Sequence, residues 1–259
     1  GAAQVTRHFL PGVLLIVPLC WLAGWAPRLG LRRESLRRLS GYGARSTAND
    51  LVDFARTQVP NFLIGQTLGP TPLGIFNKAD TLRLIPLELV SGSVYQPLFR
   101  GMAQIRGNLG QSKYLYLRSL SLTLVYCMPI YVGLWWTADP LILMLYGEKW
   151  RPVAEPLRIL ALCGPFSVLT NQAGAVAAAR NLLGREIVIQ AESALLSAMA
   201  VLIGFTYGLE GVAWGLDAAL ALLALRMSGL ACRSVAARPA EFLAALAPAG
   251  LLNLGLATV

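Results

Sequence analysis

Charge is what this sequence has least of. Of its 259 residues only 14% are Asp, Glu, Lys or Arg, where a soluble domain carries about a quarter. With 56% hydrophobic residues and a mean hydropathy of +0.58, that scarcity excludes an ordinary water-soluble domain. Histidine is nearly absent as well. The one example, His8, sits beside the chain start, where a surface role is expected rather than catalysis. No glycine-rich phosphate loop and no paired carboxylates on an exposed loop are present, so no enzyme constellation emerges. The four cysteines, Cys20, Cys127, Cys163 and Cys232, are scattered at the edges of or within apolar runs. They have no CxxC or metal-ligand spacing, which leaves free buried thiols as the plain reading and assigns no metal. Apolar–polar alternation is missing too: Val212–Leu225 does not alternate, which excludes barrel strands.

Long apolar runs are what the chain does have. A helix needs about 20 residues to cross a hydrocarbon core ~30 Å thick. Eight runs meet that length approximately, at 9–26, 43–68, 74–99, 116–145, 154–179, 187–207, 210–232 and 242–259. The fold class expected is therefore all-α, a polytopic transmembrane helical protein of about eight spans. Gly1 in place of a starting Met, and an end at Val259 inside an apolar run, lead us to expect a piece of a longer protein. The first run lacks a short cleavage-type ending and is not read as a signal peptide.

Charge in the loops orients these spans. Alternate loops carry Arg28, Arg32, Arg33, Arg37 and Arg38, then Arg100, Arg106, Lys113 and Arg118, then Arg180 and Arg185, then Arg226, Arg233 and Arg238. The opposite set carries only Arg7, Lys149, Arg151 and Arg158. The richer set belongs on the cytoplasmic side. This insertion bias also accounts for the formal net charge of +9 better than nucleic-acid binding does. Trp135, Trp136 and Trp150 then flank the outer end of the fourth span, at the interface that amphipathic rings favour; for Trp135 an ordinary core place serves equally. Pro60, Pro86, Pro97, Pro129 and Pro165 fall inside spans, where kinks are tolerated if neighbours satisfy the freed carbonyls.

Against this background the second and third spans stand apart. Arg45, Asp50, Asp53 and Arg56 lie in one, and Lys78, Asp80, Arg83 and Glu88 in the other. A charge at bilayer depth is costly and usually lines a polar interior or pairs with another. Asp53 and Arg56, and again Asp80 and Arg83, are three apart and share a helical face. Two readings stay open: a neutralised network that holds the two spans together, or a site. In the second reading Arg56, Lys78 and Arg83 suit an anionic head group such as a pyrophosphate. Asp50, Asp53, Asp80 and Glu88 then serve coupling or charge pairing. Arg45 and Arg226 lie near the cytoplasmic boundary and are read as snorkelling.

The order of residues also carries a resemblance. Phe62 to Asn108 (FLIGQTLGPTPLGIFNKADTLRLIPLELVSGSVYQPLFRGMAQIRGN) resembles the central segment of polysaccharide and lipopolysaccharide flippases. These belong to the multidrug/oligosaccharidyl-lipid/polysaccharide exporter superfamily. The motif Leu73-Gly74-Ile75-Phe76-Asn77-Lys78-Ala79 opens a helix as in that family, with Phe76 in place of Tyr. Met128-Pro129, Ala138-Asp139-Pro140, Leu145-Tyr146-Gly147-Glu148-Lys149-Trp150 and Pro156-Leu157-Arg158-Ile159-Leu160-Ala161 follow in the family's order. Asn61 and Gln66 are uncharged amides where family members often carry an acidic and a basic residue.

The resemblance implies a fold of two six-helix bundles around a central cavity, of which this chain is expected to supply the second. Residues 1–39 would be the last helix of the first bundle and a basic linker, 40–232 the second bundle, and 233–259 a linker and the start of an extra helix. The function expected is alternating-access flipping of lipid-linked oligosaccharide or polysaccharide precursors across the bacterial inner membrane, without enzymatic activity or cofactor. Partners expected are the lipid-linked glycan, membrane lipid and glycan assembly proteins, with no nucleic acid. The alternatives are a drug or cation exporter of the same superfamily, and a membrane glycan polymerase or ligase. Among the basic residues the family cavity position falls best on Lys78, then on Arg56 and Arg83.

Overall fold

The structure, a computed structural model, describes residues 33–105 and 107–257. The first expected span, His8, the linker arginines Arg28 and Arg32, and Arg106 therefore lie outside the described residues, as does the side chain of Arg45. The chain divides into two compact units, 1–44 and 45–259; the second holds every described helix except the beginning of the first.

Every element among the described residues is helical. In chain order they are α1 (Arg33–Thr67), α2 (Pro70–Pro86), a π turn (Leu87–Ser91), α3 (Gly92–Gln104), α4 (Leu109–Tyr146), a 3₁₀ turn (Glu148–Val153), α5 (Ala154–Leu162), α6 (Gly164–Ala179), α7 (Leu183–Gly204), a 3₁₀ turn (Phe205–Tyr207), α8 (Gly208–Ser234) and α9 (Pro239–Ala257). Each of the seven expected spans from 43–68 onward coincides with a helix or a broken helix. Leu109–Tyr146 and the stretch Leu183–Ser234 are long and apolar enough to cross a membrane, as is the pair Glu148–Leu162 and Gly164–Ala179 taken together across its 49° bend. The charged helices α1 and α2 are not among them.

Connections follow from local chemistry. The three outer reversals each turn on a glycine with positive φ: Gly69 at 92°, Gly147 at 80° and Gly208 at 75°. A Cβ makes that conformation costly, so glycine fits. The cytoplasmic reversals instead use Asn181 and Ala236 at φ 56° and 55°, and Asn108, whose side chain accepts from the Gln111 N–H at 3.0 Å and starts α4.

The stretch Leu183–Ser234 is a hairpin, not one rod. A Cβ added at Gly204 would stand 2.7 Å from the backbone of Gly211, and one at Gly215 would stand 3.0 Å from the Cβ of Ala200. Partner numbers fall on one helix as they rise on the other, so α7 and α8 run antiparallel. Small residues allow this approach, which is how helices gain packing where lipid removes the usual hydrophobic drive.

Breaks cluster at one level. Pro86 precedes the π turn Leu87–Ser91, and Gly164 and Pro165 part α5 from α6. Pro129 lies within α4, two residues before Tyr131, whose ring occupies the space that a Gly164 side chain would fill, 2.3 Å from its ideal Cβ. The Tyr131 hydroxyl donates to the carbonyl of Arg83 at 3.1 Å. Proline and π turns free carbonyls, and here a neighbour satisfies one of them.

Two apolar cores flank this level. One lies toward the cytoplasmic ends, around Met102, Tyr116, Leu120, Val176 and Met227. The other lies toward the outer ends, around Ile64, Phe76, Ile142, Leu157 and Val212. Both leave a polar space between α1, α2 and α6–α8.

Candidate functional site

That space is a cavity of about 450 Å³, and its lining draws on α1, α2, α6, α7 and α8 above all. Five carboxylates face it, Asp50, Asp53, Asp80, Glu186 and Asp217, against two guanidiniums, Arg56 and Arg83. Fully ionised, the lining is three charges negative.

Both arginines are held by their own helix. Arg56 Nε and Nη2 donate to Asp53 Oδ1 at 3.1 and 2.7 Å. Arg83 Nε donates to Asp80 Oδ1 at 2.8 Å and its Nη2 lies 2.7 Å from the same oxygen. The spacing of three residues brings each pair onto one face. Arg83 reaches further, donating from Nη1 to Ser167 Oγ of α6 at 3.1 Å, so it also ties α2 across the break. Ser91 Oγ of the π turn donates to Asn171 Oδ1 at 2.9 Å, a second tie to α6.

Glu186 and Asp217 differ. Both are buried, and Glu186 Oε2 and Asp217 Oδ2 have no hydrogen-bond partner among the described residues. Glu186 abuts Gly174, its Oε1 lying 3.6 Å from the ideal Cβ there. Beside Asp217 the break residue Cys163 donates its thiol to the Asp217 carbonyl at 3.4 Å. Gln190 Oε1 and Ser193 Oγ on α7 are likewise buried without a partner among the described residues, so this wall of the cavity is polar and unsatisfied.

Depth orders these groups. At a rise of about 1.5 Å per residue, Asp80 and Asp217 lie roughly 14–15 Å in from the outer turns, Arg56 and Arg83 roughly 16–20 Å, Asp53 about 21 Å, and Asp50 and Glu186 about 26–27 Å. The ionisable groups thus form a file from mid-membrane to the cytoplasmic side.

The seven residues singled out from the sequence divide into three groups. Asp50, Asp53, Arg56, Asp80 and Arg83 come together in the cavity. Lys78 is not among its lining residues. Its Nζ sits 4.5 Å from the ring centroid of Tyr146 and 5.4 Å from that of Trp150, so it joins the start of α2 to the outer turn. Five residues separate Lys78 from Arg83, about 140° beyond a full turn, which sends it to the other side of α2. Glu88 is exposed on the π turn, away from the cavity. Glu186 and Asp217 are not singled out by the sequence reading. The signal available was that neither has a basic residue three or four positions away in its apolar span.

Broken helices around a charged interior recur among secondary transporters. The sequence profile of the polysaccharide biosynthesis protein family matches residues 2–155. The chain belongs to that family. It is similar to succinoglycan biosynthesis transport protein ExoT of Rhizobium meliloti, with 25% identity over 158 residues, 61% of this chain and 32% of that protein. It is also similar to teichuronic acid biosynthesis protein TuaB of Bacillus subtilis, 26% identical over 157 residues, 61% of this chain and 32% of that one. Amylovoran biosynthesis protein AmsL of Erwinia amylovora is 21% identical over 182 residues, 70% of this chain and 47% of that one. The fold is shared with the solved structure of lipid II flippase MurJ in an inward closed conformation. That likeness has a TM-score of 0.66 at 18% identity and covers 87% of this chain and 50% of that one. The chain spans about a third to a half of the length of the relatives it matches.

Proposed function

We propose that this chain is the second-bundle part of a flippase that moves lipid-linked oligosaccharide or polysaccharide precursors across the bacterial inner membrane. It acts as a transporter rather than an enzyme, and lipid-linked glycan and membrane lipid are its partners. Residues 40–232 are the bundle and 233–259 a linker and the start of an extra helix. The relatives named for succinoglycan, teichuronic acid and amylovoran biosynthesis support the substrate class, and the fold shared with a lipid II flippase supports the movement. Those names favour glycan over drug export, although an acidic interior is what a cation exporter also has.

Within that reading the cavity couples transport to a proton or a small cation and does not itself hold the glycan. The observation that carries this is the excess of carboxylates over paired guanidiniums in about 450 Å³. Arg56 and Arg83 are engaged by Asp53 and Asp80, so an anionic pyrophosphate meets no free cation there. The unpartnered oxygens of Glu186 and Asp217 are completed by a proton or a cation, whose arrival changes the charge of the wall and gives alternating access a state to sense.

The test is translocation of a fluorescent lipid-linked oligosaccharide in proteoliposomes holding the full protein. Rates should rise with an imposed proton or sodium gradient, and Glu186→Gln and Asp217→Asn should remove that dependence. A rate indifferent to both gradients overturns the coupling, and absence of translocation under every gradient overturns the flippase reading.

A further inference from the structure

A second recess lies on the outer side of the bundle. Its volume is about 610 Å³ and its lining includes Trp135, Trp136, Glu155, Arg158 and Trp214, contributed by α4, α5 and α8. The geometry points to a docking groove for an uncharged sugar ring on the outer face, and this rests on the glycan-flipping reading above.

Three features of the groove argue for it together. First, the aromatic rings are bare: Trp135, Trp136 and Trp214 are 42%, 52% and 55% exposed. Trp135 and Trp136 stand edge to face, 6.2 Å apart at 65°, so the pair covers one face of one ring and leaves the others for the C–H face of a pyranose. Second, the charge is arranged against anions. Arg158 donates to Glu155 at 3.2 Å and pairs closely with Asp139. The guanidinium is therefore shared between two carboxylates and the triad is one charge negative. A phosphate is repelled, while the remaining carboxylate lone pairs accept hydroxyl donors. Third, the groove runs inward from the outer turns. Trp214 lies six residues into α8 and Arg158 five past the outer turn, roughly 8–9 Å along their helices, and Trp136 and Trp135 lie ten and eleven residues in from the end of α4, roughly 15–17 Å.

An aromatic belt for ordinary lipid would supply the tryptophans but does not call for an ion triad among them. A zwitterionic headgroup would place its ammonium on the same rings and carboxylates, so it is the rival occupant and a separate arm of the test.

Tryptophan fluorescence of the full protein in phosphatidylglycerol nanodiscs is titrated with maltotriose, with glucose 6-phosphate and with ethanolamine. The expected result is a saturable change with maltotriose, weakened about tenfold or more, ~1.4 kcal/mol, by Trp136→Ala and by Trp214→Leu. Glucose 6-phosphate should bind more weakly than the neutral sugar at low salt, and Glu155→Gln should narrow that gap. Thermal unfolding checks the folding of each variant, and Glu155→Gln keeps the test decisive if a tryptophan variant does not fold. Overturning results are a non-saturable sugar response, an equal response in folded variants, a glucose 6-phosphate preference, or displacement of the sugar by ethanolamine. Binding is read without transport, so failure here leaves the flippase reading standing. Loss of translocation with sugar binding intact would overturn that reading instead.

Discussion

The two walls of the central cavity carry charge in opposite ways. On α1 and α2 every cavity arginine has an aspartate three residues before it, bonded at 2.7–3.1 Å. On α7 and α8, otherwise packed through glycine and alanine at close range, Glu186 and Asp217 each stand without a partner for one carboxyl oxygen among the described residues. The conspicuous charges are the self-neutralised ones, and those that keep an unpartnered oxygen hide in the most apolar part of the chain. Paired charge inside a membrane holds structure; single charge is there to change state.

That contrast can be broken from either side. Arg83→Ala strips Asp80 of its partner and cuts the tie to Ser167, so it should cost up to about 3 kcal/mol, the low end for breaking a buried pair because Asp80 is partly exposed. The double change Asp80→Asn with Arg83→Gln should recover most of it, read by thermal unfolding in detergent. On the other wall the effect should fall on transport and spare stability. Glu186→Gln or Asp217→Asn should slow gradient-driven translocation about a hundredfold, ~2.7 kcal/mol, with unfolding temperature unchanged or raised. If both walls respond alike in both assays, the distinction between paired and single charge fails.

Smaller effects sharpen the comparison. Gly211→Val puts a side chain 2.6 Å from the Gly204 carbonyl and should destabilise the α7–α8 hairpin by about 1–3 kcal/mol, moving Glu186 and Asp217 apart. Lys78→Ala removes the contact with Tyr146 and Trp150 and should cost about 1 kcal/mol, with translocation kept if Lys78 serves the outer turn rather than the cavity. The smallest effect concerns the base of α9. Glu241 is held below the usual carboxylate value of 4.5 by the Arg238 backbone N–H and by Lys113, at 2.8 and 2.6 Å. A depressed folded value means this tie is present at neutral pH and lost as pH falls below that range. The hydrogen-exchange protection factor at the start of α9, taken against the intrinsic rate at each pH, should therefore fall in acid, and Glu241→Gln should remove that pH dependence.

How much of the molecule is legible in its sequence depends on range. Helix positions are, since apolar run length and loop charge act locally, and the seven described spans fall where the runs do. The Asp53/Arg56 and Asp80/Arg83 pairs are legible for the same reason: three residues on a helix are one turn apart. Lys78 is not. It stands next to the cavity residues in sequence, yet helix rotation and two aromatic rings from α4 and the outer turn draw it away. Glu186 and Asp217 are not legible either, since neither has a basic residue one turn away to mark it until α1, α6 and α7 close around the space.

The sequence by itself determined that this is a helical membrane protein and which of its charges neutralise each other, and its loop charges set the expected direction of insertion. Each of these follows from hydrophobicity, loop charge and one-turn spacing. The tertiary structure alone decided that the cavity is acidic rather than cationic, because the sum of charges around a space depends on which helices border it. It alone decided that Arg56 and Arg83 belong to the wall with Glu186 and Asp217 opposite, and that three scattered tryptophans meet an ion triad at the outer face.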